Sequence, residues 1–164
     1  MTAQDLLSMS RNELDDLFRK SPPGPVPDGR ARGTAIVVPG SPLDGVVRGL
    51  IRGLVWRGKA FTTANGSGSL RNLISPLSLR LFEAKVYVAG SWFAPGDAVI
   101  LDYSRSSFLV RKIRDEIRMV EPGLYLGQVY WGRRRLILFM LEFAGPAREP
   151  AGAEERQREP ARGS

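Results

Sequence analysis

The chain has 164 residues, 43% of them apolar, with 24 Lys and Arg against 17 Asp and Glu for a formal charge of +7. That is enough for one domain of roughly 140 residues with a core of its own, needing neither disulfide nor structural metal. Histidine and cysteine are both absent. This excludes a thiolate nucleophile, a Ser-His-Asp triad, an imidazole proton shuttle and a zinc site of the usual ligands. Acid–base work falls to Asp, Glu, Lys or Tyr, and no cofactor or metal is expected.

The N-terminus, Met1-Thr2-Ala3-Gln4-Asp5, lacks a basic segment followed by an apolar one, so a cytoplasmic protein is the expectation. Ser10-Arg11-Asn12-Glu13 is a capping box, and Leu14, Leu17 and Phe18 follow at helical spacing. Ser21 to Gly29, with four prolines, ends that helix and continues as an extended lead-in, so that residues 1–29 form a helix and its Pro-rich exit. Arg32–Val38 is the first strand candidate. Ser41-Pro42 opens a second helix over 42–54, its apolar stripe made by Leu43, Val46, Val47, Leu50, Ile51 and Leu54. Gly45, Gly49 and Gly53 repeat along it, which suggests close approach to another backbone. A helix over a sheet or plugging a barrel mouth is one reading, and a helix lying on a membrane surface is the other.

From Trp56 onward the chain reads as an antiparallel meander. Its strands are Arg57–Thr63, Leu70–Ile74, Phe82–Val88, Ala98–Tyr103, Phe108–Ile113, Ile117–Val120, Leu124–Tyr130 and Leu136–Phe143. Short connections without intervening helices favour a small closed antiparallel β-barrel, mainly β, preceded by short helices. The barrel domain spans 30–144, and 145–164, where four Arg balance four Glu, reads as a disordered tail. The basic residues are nearly all Arg and scattered, and the one dense run, Arg133-Arg134-Arg135, sits at a hairpin tip, so no nucleic-acid partner is expected.

Three constellations carry possible chemistry, and each has a structural reading beside the functional one. In Trp56-Arg57-Gly58-Lys59-Ala60-Phe61, alternation puts Lys59 and Phe61 on one face, either to meet an anionic group at the mouth of an apolar cavity or as an outward lysine beside a turn. Asp102-Tyr103 ends an apolar strand, as a base with an orienting phenol or as the start of a turn. In Ile113-Arg114-Asp115-Glu116-Ile117-Arg118, alternation puts Arg114, Glu116 and Arg118 on one side and Asp115 with Ile117 on the other. An inward carboxylate costs several kcal/mol unless paired, so Asp115 marks either an internal salt bridge or a site. Gly90-Ser91-Trp92 spells the Gly-x-Trp of lipocalins but falls between middle strands, and is read as coincidence.

The Trp56 to Phe61 motif, Asn72 to Pro76, Ala84 with Val86, Asp102-Tyr103, Ile113-Arg114-Asp115 with Arg118, and Gly127 ahead of Phe139-Met140-Leu141-Glu142-Phe143 resemble small bacterial proteins of the GXWXG type. The match covers roughly residues 56–143, and the Gly-x-Trp-x-Gly signature itself is not present in order. The resemblance implies a calycin-like barrel and nominates Lys59, Asp115 and Arg118 as the polar set inside it or at its rim.

The function expected from these readings is binding of a lipophilic small molecule, with Lys59 or Arg118 meeting an acidic head group and Trp56, Phe61, Tyr103 and Tyr125 lining the cavity. One alternative is a cofactor-independent isomerase or cyclase in which Asp115 or Tyr103 moves a proton. Another is peripheral membrane association through the 42–54 helix.

Overall fold

Thr2 and Ser10 each open a helix by the same exchange of hydrogen bonds. The Thr2 hydroxyl accepts from the Asp5 amide at 3.3 Å and the Asp5 carboxylate accepts from the Thr2 amide at 2.7 Å, starting α1 (Ala3–Ser8). Ser10 and Glu13 repeat the arrangement at 3.4 and 2.7 Å for α2 (Arg11–Lys20). The α2 box is the one expected. The α1 box was missed because Asp stands where Glu or Gln is usual. The structure is a computed structural model and describes residues 1–36, 59–64, 67–72, 83–105 and 111–143. The 42–54 helix, Trp56 and the 145–164 tail lie outside these residues.

Among the described residues eight strands follow: β1 (Gly29–Ile36), β2 (Lys59–Ala64), β3 (Ser67–Asn72), β4 (Glu83–Gly90), β5 (Asp97–Asp102), β6 (Ile113–Glu121), β7 (Leu124–Trp131) and β8 (Arg134–Phe143). Each pairs antiparallel with its chain neighbour, and β1 also pairs with β8 over six residues, from Ala31 opposite Phe143 to Ile36 opposite Leu138. The return from β1 to β2 rests, among the described residues, on three pairs, Gly29–Phe61, Arg30–Ala60 and Ala31–Lys59. The expected architecture therefore holds in its coarser part, a mainly-β antiparallel sheet curled on itself with two short helices. Residues 37–58, which lie outside the described residues, separate β1 from β2 along the chain. One correction concerns β6. Of the expected Phe108–Ile113 strand, residues 108–110 lie outside the described residues and 111–112 form a turn, while Ile113 joins the expected Ile117–Val120 in one strand from Ile113 to Glu121.

Two tight hairpins set the register of β6 to β8. Pro122-Gly123 joins β6 to β7, with Gly123 at φ +79°, and Gly132-Arg133 joins β7 to β8, with Gly132 at φ +58°. Strand alternation then sends side chains into two separate cores. On one face Ala31, Phe61, Val86, Leu101, Ile117 and Phe139, drawn from six strands around the curl, meet in a single cluster, so this face is its interior. On the other, Leu126, Leu138 and Met140 pack under Leu6 of α1 and under Leu14 and Phe18 of α2. Residues 22–26 close one end of the interior. Val26 packs against the inner cluster, Pro22 O accepts from the Met119 amide at 3.0 Å, and Pro25 O accepts from the Tyr125 hydroxyl at 2.8 Å.

Gly127 sits on the inner face, opposite Ile117 of β6 and Phe139 of β8. A Cβ built there would run into the Phe139 ring and lie 2.8 Å from Ile117 Cγ2. Gly127→Ala should therefore destabilise the fold by about 1–3 kcal/mol through overpacking. Adding Phe139→Leu should restore part of that loss, and urea denaturation of the two variants checks the coupling.

Candidate functional site

The inner face gathers four of the residues singled out from sequence. Asp115 projects inward from β6, and Tyr103, just past the end of β5, donates its hydroxyl to Asp115 Oδ2 at 3.4 Å. Both are buried, at 1% exposure for Tyr103 and 3% for Asp115, and Phe61 and Tyr125 belong to the same apolar cluster as Tyr103. Tyr125 and Phe61 each pack a ring against Phe143, with centroids 5.6 and 5.2 Å apart. Burial pushes the Tyr125 phenol above its ordinary pKa. Lys59 lies in β2 opposite Asn72 and Ala31, but the placement of its side chain, like all of Trp56, lies outside what is described.

Arg118 does not join this group. Alternation puts it on the opposite face from Asp115, where its guanidinium donates to Phe18 O and Arg19 O at 3.1 Å each and to Pro95 O at 2.8 Å. It thus caps the C-terminal end of α2, where a cation also meets the negative end of the helix dipole. Burial lowers its pKa. Three of its hydrogen bonds are thus spent on two helical carbonyls and a loop carbonyl.

The outer face holds what sequence reasoning missed. Glu116 is fully buried there; Oε1 accepts from the Trp92 amide at 2.8 Å and lies 3.2 Å from Arg114, and Oε2 accepts from the Ser91 hydroxyl at 2.7 Å. Arg114 also donates to Gly90 O at 2.9 Å. Residues 90–96 are thereby pinned over the sheet. The Trp92 ring carries the guanidinium carbons of Arg114 and Arg133 at 4.1 and 4.2 Å and meets Tyr130 edge-on at 5.3 Å. Arg135, expected at an exposed tip, instead makes a two-pronged pair with Asp15 of α2 at 2.8 Å per contact.

Beside Trp92 opens a cleft of about 380 Å³, walled by Tyr87, Asp102 and the 111–114 segment and bounded by the Gly132-Arg133 turn. The motif that would have signalled it, Arg111-Lys112 facing Gly132-Arg133 across a hairpin, is invisible without the β6–β7–β8 register. Among the described residues, no three acidic side chains come together to hold a metal ion, and no helix is long and apolar enough to cross a membrane.

No protein-family model matches this sequence. A search of curated proteins likewise finds no match. A crystal structure of a protein from Thermomonospora curvata is similar in fold, with a TM-score of 0.58 at 18% identity over 83% of this chain and 88% of that chain. At that identity the likeness extends to the fold alone.

Two outcomes follow for the outer face. Arg118→Met keeps the aliphatic bulk but strands three carbonyls, so it should cost about 2–4 kcal/mol in urea denaturation and speed amide exchange at the end of α2. Burial, with the Glu116 charge second, raises the Tyr130 phenol to about 12 from an ordinary value of 10.0. The folded state therefore keeps its proton where the unfolded chain loses it. The stability this contributes is complete below pH 10 and is lost as the pH climbs to about 12. Tyr130→Phe keeps the ring packing and should flatten the fall in urea midpoint across that window.

Proposed function

We propose that the protein binds a small apolar molecule within the curl of the sheet, with the Tyr103–Asp115 couple as its polar contact. One observation carries this reading: an acid and a phenol 3.4 Å apart are buried on the apolar interior face, on the side of the sheet away from the two helices. Neither is needed to hold α1 or α2, whose contacts fall on the other face. An acceptor and a donor in contact suit a ligand hydroxyl, which can bond to both, better than the acidic head group expected at first, which as an anion brings acceptors only. Arg118, one of the two cations that were to receive such a head group, is committed to α2. The resemblance to GXWXG-type proteins with calycin-like barrels belongs to the same proposal, and such a barrel suits one modest ligand.

Native mass spectrometry of the protein as expressed should show a retained mass of lipid size. A fluorescent fatty alcohol should bind more tightly than the matching fatty acid, and Tyr103→Phe should weaken the alcohol about twofold to tenfold, the worth of one neutral hydrogen bond. A protein that emerges empty and takes up neither probe would rule the reading out.

The same couple favours a second reading, a cofactor-independent isomerase or cyclase, because it offers a proton donor and acceptor in contact. Turnover of a bound ligand that survives Asp115→Asn with the fold intact would remove Asp115 from that mechanism.

A further inference from the structure

The cleft on the outer face is independent of the interior, and its charge is lopsided. Arg111, Lys112, Arg114 and Arg133 line it against a single carboxylate, Asp102. Both Asp102 oxygens are engaged on the protein side, Oδ1 by the Ser104 amide at 2.8 Å and Oδ2 by the Tyr87 hydroxyl at 3.3 Å. Counting Glu116, which lies 3.2 Å from Arg114, the four cations meet two carboxylates, a net +2.

The cations are also held in place. Arg114 is fixed by Gly90 O, Glu116 and the Trp92 ring, and Arg133 lies 4.2 Å over the same ring. A guanidinium lying on an aromatic face still has its N–H edge to present to an oxyanion. The two turns that supply the others are tied together, since the Gly132 amide donates to Lys112 O at 2.8 Å. Lys112 and Arg133 are exposed and take part in no ion pair among the described residues. Lys112 and Arg133 thus bring like charges to one concave space the size of a small-ligand site, an arrangement that an anion between them would stabilise.

We infer that this cleft binds a phosphomonoester, its dianion received by the exposed Lys112 and Arg133, with Arg114 behind them on the Trp92 ring. A phosphomonoester offers three acceptor oxygens and close to two charges at neutral pH, which suits cations converging from separate segments better than a carboxylate with two oxygens and one charge.

Calorimetric titration with phenyl phosphate, and with phenyl sulfate as a monoanion of similar shape, tests this. Phenyl phosphate should bind one to one, more tightly than the sulfate, with affinity rising as the pH passes the second phosphate pKa near 6. Lys112→Gln and Arg133→Gln, both at exposed positions, should each weaken it about fivefold to tenfold, while Arg30→Gln, exposed on β1 outside the cleft, should leave it unchanged. Equal affinity for the two anions, or an equal loss in Arg30→Gln, would reduce the effect to general charge and overturn the proposal. Co-sedimentation with phosphatidic acid vesicles that Arg133→Gln abolishes, in a protein that ignores phenyl phosphate, would place the phosphate on a lipid. Binding of duplex DNA alone, lost in the same variants, would overturn the small-ligand site.

Discussion

A carboxylate taken wholly out of water must recover donors from the protein, and Glu116 recovers a backbone amide, a hydroxyl and a guanidinium. Much of the outer face depends on that requirement. The amide and hydroxyl belong to Trp92 and Ser91, so satisfying Glu116 lays residues 90–96 across the sheet. The guanidinium is Arg114, which then lies on the Trp92 ring with Arg133. The wall of the outer cleft is thus a consequence of burying one acid. Without that acid the loop would lose its anchor and Trp92 its position.

The same strand serves both cores. From β6, Ile113, Asp115 and Ile117 face the interior, and Arg114, Glu116 and Arg118 face the layer of helices and loop. Arg118 meets much of its cost with the carbonyls ending α2, and Glu116 with the Trp92 amide, the Ser91 hydroxyl and Arg114. A central strand buried on both faces normally reads as a run of apolar residues. Here the polar residues replace apolar packing with hydrogen bonds that fix where α2 and the 90–96 loop must sit. Two chemically distinct surfaces result, an apolar interior with one acid–phenol couple and a cationic cleft outside.

Much of this was legible locally. The Ser10 capping box, the stripe of Leu14 and Phe18, the hairpins at Pro122-Gly123 and Gly132-Arg133, and the inward turn of Asp115 all follow from spacing within a few residues. Tyr103 and Phe61 were found by the same means and share its side of the sheet. The errors have a common origin. Alternation gives the side from which Arg118 leaves β6 and not the α2 carbonyls that wait there. The contact of Ser91 and Trp92 with Glu116 has no local signal, because Glu116 lies 24 residues beyond Trp92. Arg135 was placed in solvent because Asp15, its partner, is 120 residues away.

By itself the sequence determined the start of α2, the tight turns, the two-residue period of the strands and the absence of histidine and cysteine chemistry. These are set by short-range sterics and by side-chain hydrogen bonds to the nearest backbone. Only the tertiary structure decided that both faces of β6 are buried, that Arg118 closes a helix, and that cations from the 111–114 segment and the β7–β8 turn share one cleft. Those outcomes depend on strand register and on a second layer packing over the sheet. Contacts between residues 20 to 120 positions apart are chosen by the whole fold and leave no local period to read.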